Sequence, residues 1–252
     1  EPNSNSSRFG SLRRSVVHRI GKKFLSFIRD YQGRHSRIST KPVLTNELFA
    51  WISDLESAAK PIRQEFDRVW RHPHDIPSFH DISPDQARIS AGNHWKTYAF
   101  YVFGHQIATN CAACPRTTAA LANIPGIQNA WFSILAPGYH IPPHRGPTRA
   151  LVRCHLGLRV PARAHDCWIR VSDQICHWRE GECLVFDDTY EHEVHNKTHE
   201  YRVVLFIDFE RPMDWIGAYL NRGILRLMQG THYVKDPLRN LHAWNRRLAE
   251  RD

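Results

Sequence analysis

The sequence predicts a mainly β domain with flanking helices, and two observations predict it. Between Ala130 and Phe209, short apolar or alternating runs recur at 130–135, 150–158, 167–171, 182–186 and 201–209. Turn residues separate them: Pro137-Gly138, Gly146-Pro147, Ser172-Asp173 and Glu180-Gly181. Many short strands at such spacing form a sandwich or barrel. On both sides of this stretch the apolar residues recur every three or four positions, the period of helices packed on a core.

The elements follow in order. From Phe9 to Tyr31 the residues Leu12, Val16, Ile20, Phe24, Phe27 and Tyr31 share one helical face, while Arg13, Arg14, Lys22 and Lys23 lie elsewhere. Residues 1–40 thus read as a basic amphipathic leader, either a membrane-surface helix or one packed on its own domain. Thr45 is expected to cap a second helix over 45–70, carrying Leu48, Trp51, Ile52, Leu55, Ile62, Phe66 and Trp70 against the core. A strand is expected from Trp95 to Phe103, then a short helix from Pro115 to Leu121. The β core spans about 95–211 within a domain at 41–211, and residues 212–252 return to helix through Trp215, Leu220, Ile224, Leu227, Met228, Leu238, Leu241 and Leu248.

Composition fits this plan. A chain of 252 residues with 42% hydrophobic and 23% charged residues suffices for one substantial domain with extensions. No run of eighteen apolar residues occurs, so no transmembrane helix lies within it; whether an anchor or signal precedes Glu1 is left open. The net charge of +9 is concentrated in the first forty residues, and no basic-aromatic platform for bases is evident, so no nucleic-acid partner is expected. The six cysteines give no disulfide scaffold, and Cys111-x-x-Cys114 has no second pair at zinc-site spacing. These features suggest a reducing, cytoplasmic setting, with the basic leader as the part able to meet a membrane.

Among seventeen histidines, position selects a few. His144 sits in Pro-Gly-Tyr-His-Ile-Pro-Pro-His-Arg-Gly-Pro-Thr (137–148), read as a proline-stiffened turn between strands. His192 opens a strand after the acidic turn Phe186-Asp-Asp-Thr-Tyr-Glu. Arg202 lies in the apolar strand Tyr-Arg-Val-Val-Leu-Phe-Ile-Asp-Phe (201–209), where a buried guanidinium needs a carboxylate, and a free dicarboxylate would serve. Arg153 and His155, two apart, share a strand face, and Ser133 offers a hydroxyl from a neighbouring strand. Together these make two metal-ligand candidates and a polar cradle for a keto acid.

Residues 95–212 resemble the aspartyl/asparaginyl β-hydroxylase family of 2-oxoglutarate oxygenases. The stretches that carry the resemblance include Cys114-Pro-Arg-Thr117, Phe132-Ser-Ile-Leu-Ala-Pro-Gly138, Pro143-His-Arg-Gly-Pro-Thr148, His155-Leu-Gly-Leu158, Trp178-Arg-Glu-Gly-Glu182, Glu191-His-Glu-Val194 and Tyr201-Arg-Val-Val204. The resemblance implies a double-stranded β-helix (jelly-roll, cupin-like) core. It implies Fe(II) on His144 and His192, 2-oxoglutarate held at its far carboxylate by Arg202 and Ser133 and at its chelating end by Arg153 and His155, and O2 as oxidant.

Many non-haem iron enzymes add a carboxylate ligand, usually two residues after the first histidine. Gly146 occupies that position here, a gap shared by animal members of the family. Water could fill the place, Asp187 or Asp188 could substitute or act as turn residues beside the site, and related halogenases place chloride there. The substrate is expected to be an aspartyl or asparaginyl residue or related amino acid, hydroxylated at its β-carbon. An acyl chain of a membrane lipid is the alternative, and a non-catalytic jelly-roll binding protein is the rival of another class. The arginine that grips the substrate carboxylate in animal members aligns with Leu151, with Arg149 nearby as a candidate to compensate.

Overall fold

A computed structural model describes residues 26–250. Helix α1 covers 26–34, so most of the expected leader lies outside the described residues. The strands are β1 (Val43–Leu44), β2 (Trp95–Val102), β3 (His105–Gln106), β4 (Ile127–Leu135), β5 (His140–His144) and β6 (Leu151–Arg159). They continue with β7 (Cys167–Val171), β8 (Gln174–Cys176), β9 (Cys183–Phe186), β10 (His192–Asn196) and β11 (Arg202–Glu210). Seven form one sheet in the order β1-β9-β6-β11-β4-β2-β3, and four form a second in the order β5-β10-β7-β8. Every pairing within the two sheets is antiparallel. With helices on its flank, this is the jelly-roll architecture expected of the chain.

The wide sheet has two covered faces. Its outer face meets helices α2 (Ile52–Ser57), α3 (Ala59–Val69), α5 (Ala108–Ala113) and α6 (Pro115–Ala122) through a core that includes Leu55, Ile62, Phe66, Cys111, Leu121 and Phe132. Its inner face meets the narrow sheet through Trp95, Leu135, Ile169, Val171, Phe186 and Val204. The central strand β11 is therefore buried on both sides, which explains why it reads as a continuous apolar run.

The expected helix over 45–70 is broken. Thr45 makes no side-chain cap; a single 3₁₀ turn at Asn46–Leu48 precedes α2, and the chain re-starts at Ala58 into α3. Toward the C-terminus, α7 (Trp215–Gln229) is capped by the Asp214 carboxylate, which accepts from Gly217 N–H. Helix α8 (His232–Ala249) carries Pro237 within its second turn and returns across α4 (Phe79–Ile82) and β2. Among the described residues no helix is long and apolar enough to cross a membrane.

Candidate active site

Register places the site. Alternation along β11 turns Arg202, Val204, Phe206 and Asp208 toward the narrow sheet. Ser133 of β4 pairs with Val204, His155 of β6 with Phe206, and Arg153 with Asp208, so the polar residues of three strands share one inner face. Opposite, His192 of β10 pairs directly with His144 of β5. A bulge between these strands matters here. His140 and His144 are four apart and would share one face of a regular strand; the extra residue in β5 lets His140 pair with His195 outside while His144 meets His192 within. His144 thus ends a strand instead of sitting in the predicted turn.

The predicted residues converge. The rings of His144 and His192 lie 4.1 Å apart, His192 meets Phe186 at 5.7 Å, and Phe186 meets His155 at 5.1 Å. Trp178 Nε1 donates to His155 Nδ1 at 3.3 Å, and Trp178 carries the Arg202 guanidinium on its ring face at 4.7 Å. Arg202 Nη1 lies 3.5 Å from Ser133 Oγ, which also accepts from Trp95 Nε1 at 3.0 Å.

Hydrogen bonds fix the histidine tautomers. His144 Nδ1 donates to the Pro142 carbonyl at 2.8 Å and His192 Nδ1 to the Tyr190 carbonyl at 2.9 Å, because a carbonyl can only accept. Each ring is left with a lone pair on Nε2, and that of His192 is buried without a partner. Burial pushes both imidazoles down, His144 to about 4, so both are neutral near pH 7. Two neutral nitrogens of this kind fit a divalent metal. His155 has the opposite tautomer: its Nδ1 accepts from Trp178, so its buried, unpartnered Nε2 carries a hydrogen. That N–H fits an anionic oxygen.

Arg202 is 1% exposed and pairs with no carboxylate among the described residues, and its Nε lacks a partner. Burial pulls its pKa down to about 10, leaving it charged at neutral pH. A bound dicarboxylate would satisfy it. Arg153 is held at the other end of the site by Asp208 (2.8 Å) and Asp188 (2.9 Å).

Gly146 and Asp188 form a lock. A Cβ at Gly146 would overlap the Asp188 carboxylate, and Gly146 N–H donates to the Asp188 carbonyl at 2.7 Å. The place where a side chain at 146 would project already holds a carboxylate, delivered by the turn before β10. Burial pushes that carboxyl up to about 7, against the pull of Arg153. Asp187 faces away from the pair and is clasped by Arg211 at 2.6 Å and Arg149 at 3.2 Å. Arg149 precedes β6, with its guanidinium beside Asp187 and over the Tyr190 ring.

Beside His144 a cleft opens, bounded by Phe79, Ile89, Trp95, Trp131, Phe206 and Leu241, with Arg145 and Arg153 among its polar lining. The reading of the sequence did not anticipate these walls, because they come from separate helices and strands. A different group, His140, Glu193 and His195, lies on the outer side of the narrow sheet. There Glu193 accepts from both imidazoles at 3.0 Å and from Arg170 at 2.7 Å.

The sequence model of the family described as aspartyl/asparaginyl beta-hydroxylase matches residues 56–212. The chain belongs to this family. Among its relatives is the ornithine lipid ester-linked acyl 2-hydroxylase of Rhizobium tropici, 37% identical across 94% of this chain and 84% of that protein. The human aspartyl/asparaginyl beta-hydroxylase is 26% identical over 84% of this chain, which spans only 30% of that longer protein. Among solved structures, a prolyl hydroxylase from Trichoplax adhaerens superposes with a TM-score of 0.45 at 13% identity, over 83% of this chain and 96% of that one. A Pseudomonas putida prolyl-4-hydroxylase gives 0.40 at 17% identity, over 74% and 98%. Family model and rhizobial relative together make the chain a member of a hydroxylase family.

Proposed function

We propose that this hydroxylase depends on Fe(II) and 2-oxoglutarate and inserts oxygen into a C–H bond of a lipid acyl chain. The observation that carries the reading is the apolar cleft opening directly beside the paired histidines. Its aromatic and aliphatic walls suit a hydrocarbon chain better than an aspartyl side chain. The rhizobial relative, named for an acyl substrate and matched along most of both chains, supports it.

His144 and His192 would hold the metal through Nε2. Arg202, with Ser133 donating its hydroxyl hydrogen, would bind the far carboxylate of 2-oxoglutarate, while His155 Nε2–H and Arg153 would steady the end nearer the metal. With O2, the bound iron and keto acid supply oxidative hydroxylation, releasing succinate and carbon dioxide. Trp95, Trp178 and Phe186 wall the site from water. Asp188, fixed by Arg153, lines the same cleft as His144.

An aspartyl or asparaginyl substrate is the second reading, and Arg145 at the cleft favours it by offering a cation to a substrate carboxylate. One experiment separates the readings. The purified chain with Fe(II), 2-oxoglutarate and O2 is given an ester-linked acyl aminolipid or an aspartate-containing peptide, and succinate and product mass are followed. Stimulated succinate and a gain of one oxygen in the acyl chain are expected, both abolished by His144→Ala or His192→Ala. Oxygen in the peptide alone would select the second reading, and no succinate under any condition would leave a binding protein.

A further inference from the structure

Nine large apolar side chains are exposed among the described residues, and five of them, Trp215, Ile216, Tyr219, Leu220 and Leu227, belong to α7. The helix buries Gly217, Asn221 and Leu225 and turns these five outward. Trp215 and Leu227 are each 77% exposed and Tyr219 is 73% exposed. At about 100° per residue the outward arc runs Arg222, Trp215, Arg226, Tyr219, Ile216, Leu227, Leu220 and spans roughly 160°. This inverts the usual surface helix, whose polar face meets water. No acidic residue lies within α7, and Arg222 and Arg226 are both exposed on the same arc.

The surroundings extend the same chemistry. Helix α1 runs antiparallel beside α7, with His35 meeting Asp214 and Gln32 meeting Asn221, and it exposes Phe27. The sequence that leads into α1, residues 1–25, holds six Arg or Lys against one acidic residue. At the other end of α7, Gln229 Nε2 donates to the Phe103 carbonyl at 2.9 Å, and Phe103 lines the cleft.

We propose that the outward face of α7 docks on an anionic lipid bilayer and seats the cleft at the membrane surface. Trp and Tyr beside Arg, with Ile and Leu on the remaining arc, form the composition of a helix lying in the headgroup region. Arginines flanking the aromatic rings can bury their stems and leave their charge at the phosphates. The absence of acid on this face fits an anionic surface. The geometry is independent of the substrate, but its use rests on the acyl-chain reading: such a substrate must be drawn from a bilayer, and α7 ends at a residue that touches the rim of its cleft.

The test uses the full chain with vesicles of phosphatidylcholine alone or mixed with phosphatidylglycerol, some carrying brominated acyl chains. Binding to the anionic vesicles is expected, with part of the tryptophan emission quenched by bromine, and that part lost in Trp215→Phe. Tyr219→Ser with Leu227→Ser should weaken vesicle binding at least about tenfold while leaving turnover of a detergent-dispersed substrate unchanged. Three results would each overturn the proposal: no binding to either vesicle; binding untouched by these substitutions, which would assign it to the leader; or a dimer in light scattering that the Ser variant dissociates. Docking through Trp215 without any acyl hydroxylation would uphold the surface and remove only the acyl-chain reading. Equal hydroxylation of vesicle lipid by wild type and Ser variant would do the reverse.

Discussion

Taking the Arg202 guanidinium out of water without an acid beside it is costly, and stacking on Trp178 offsets only part of that cost. Arg202→Met is therefore expected to raise the melting temperature by about 2–4 °C for each kcal/mol relieved, while abolishing the further rise expected of the wild type with 2-oxoglutarate. Scanning fluorimetry with and without the keto acid checks both signs at once. The Gly146–Asp188 lock makes an equally specific demand. Gly146→Asp alone should lower stability and Fe(II) affinity, since its Cβ meets the Asp188 carboxylate. Combining it with Asp188→Gly should recover both, as read by melting and anaerobic Fe(II) titration. At this scale the sequence was legible where a charge or imidazole interrupts a strand, as at Arg202, His155 and His192. It left Asp188 open between substitute ligand and turn residue, because an Asp-Asp pair before a strand also reads as an ordinary solvated turn. The tautomer set by Trp178 on His155 depends on a contact across 23 positions that only register creates.

Strands long enough to show a period were readable, and β6, β7, β9 and β11 fall within a residue or so of expectation. The short strands of the narrow sheet were harder. β5 reads His-Ile-Pro-Pro-His, and its prolines are tolerated because it is an edge strand, bonded on one side only. Its bulge sends His140 and His144 to opposite faces, which no alternation rule can supply. Helix α8 was expected, but not its part in the cleft, where Leu241 is buried against Ala99 and Ile107 while lining the wall. Leu241→Ala should cost about 2–4 kcal/mol in urea unfolding and enlarge the cleft. If that wall limits the substrate, product analysis over a series of acyl lengths should shift toward longer or branched chains. An unchanged profile would place the chain elsewhere.

Across the whole molecule, three buried imidazoles make stability depend on pH. Burial holds His144 at about 4 and pushes His155 and His192 well below their ordinary range. Because these folded-state values lie below about 6.5, the unfolded chain takes up more protons in between. Their contribution is complete above about pH 6.5 and is lost as pH falls toward 4. Asp188, pushed up to about 7, acts with the opposite sign, but it is one group against three. Urea midpoints measured from pH 7.5 down to 4.5 should therefore decline, and a flat profile would contradict the buried neutral state of the trio.

The turn bearing Asp187 and Asp188 is buckled to the start of the described chain. Asp187 N–H donates to the Pro42 carbonyl at 2.9 Å, and Tyr190 Oη to that of Thr40 at 2.8 Å. Arg211, which grips Asp187, also reaches Ser36 and the Ser39 carbonyl, while Gln32 pins Thr148 and Arg149. A chain shortened to begin at residue 45 would keep both histidines and every strand except β1, yet release this fastening. Hydrogen exchange should then quicken at 186–191, and any Fe(II) affinity should fall although neither histidine has been touched.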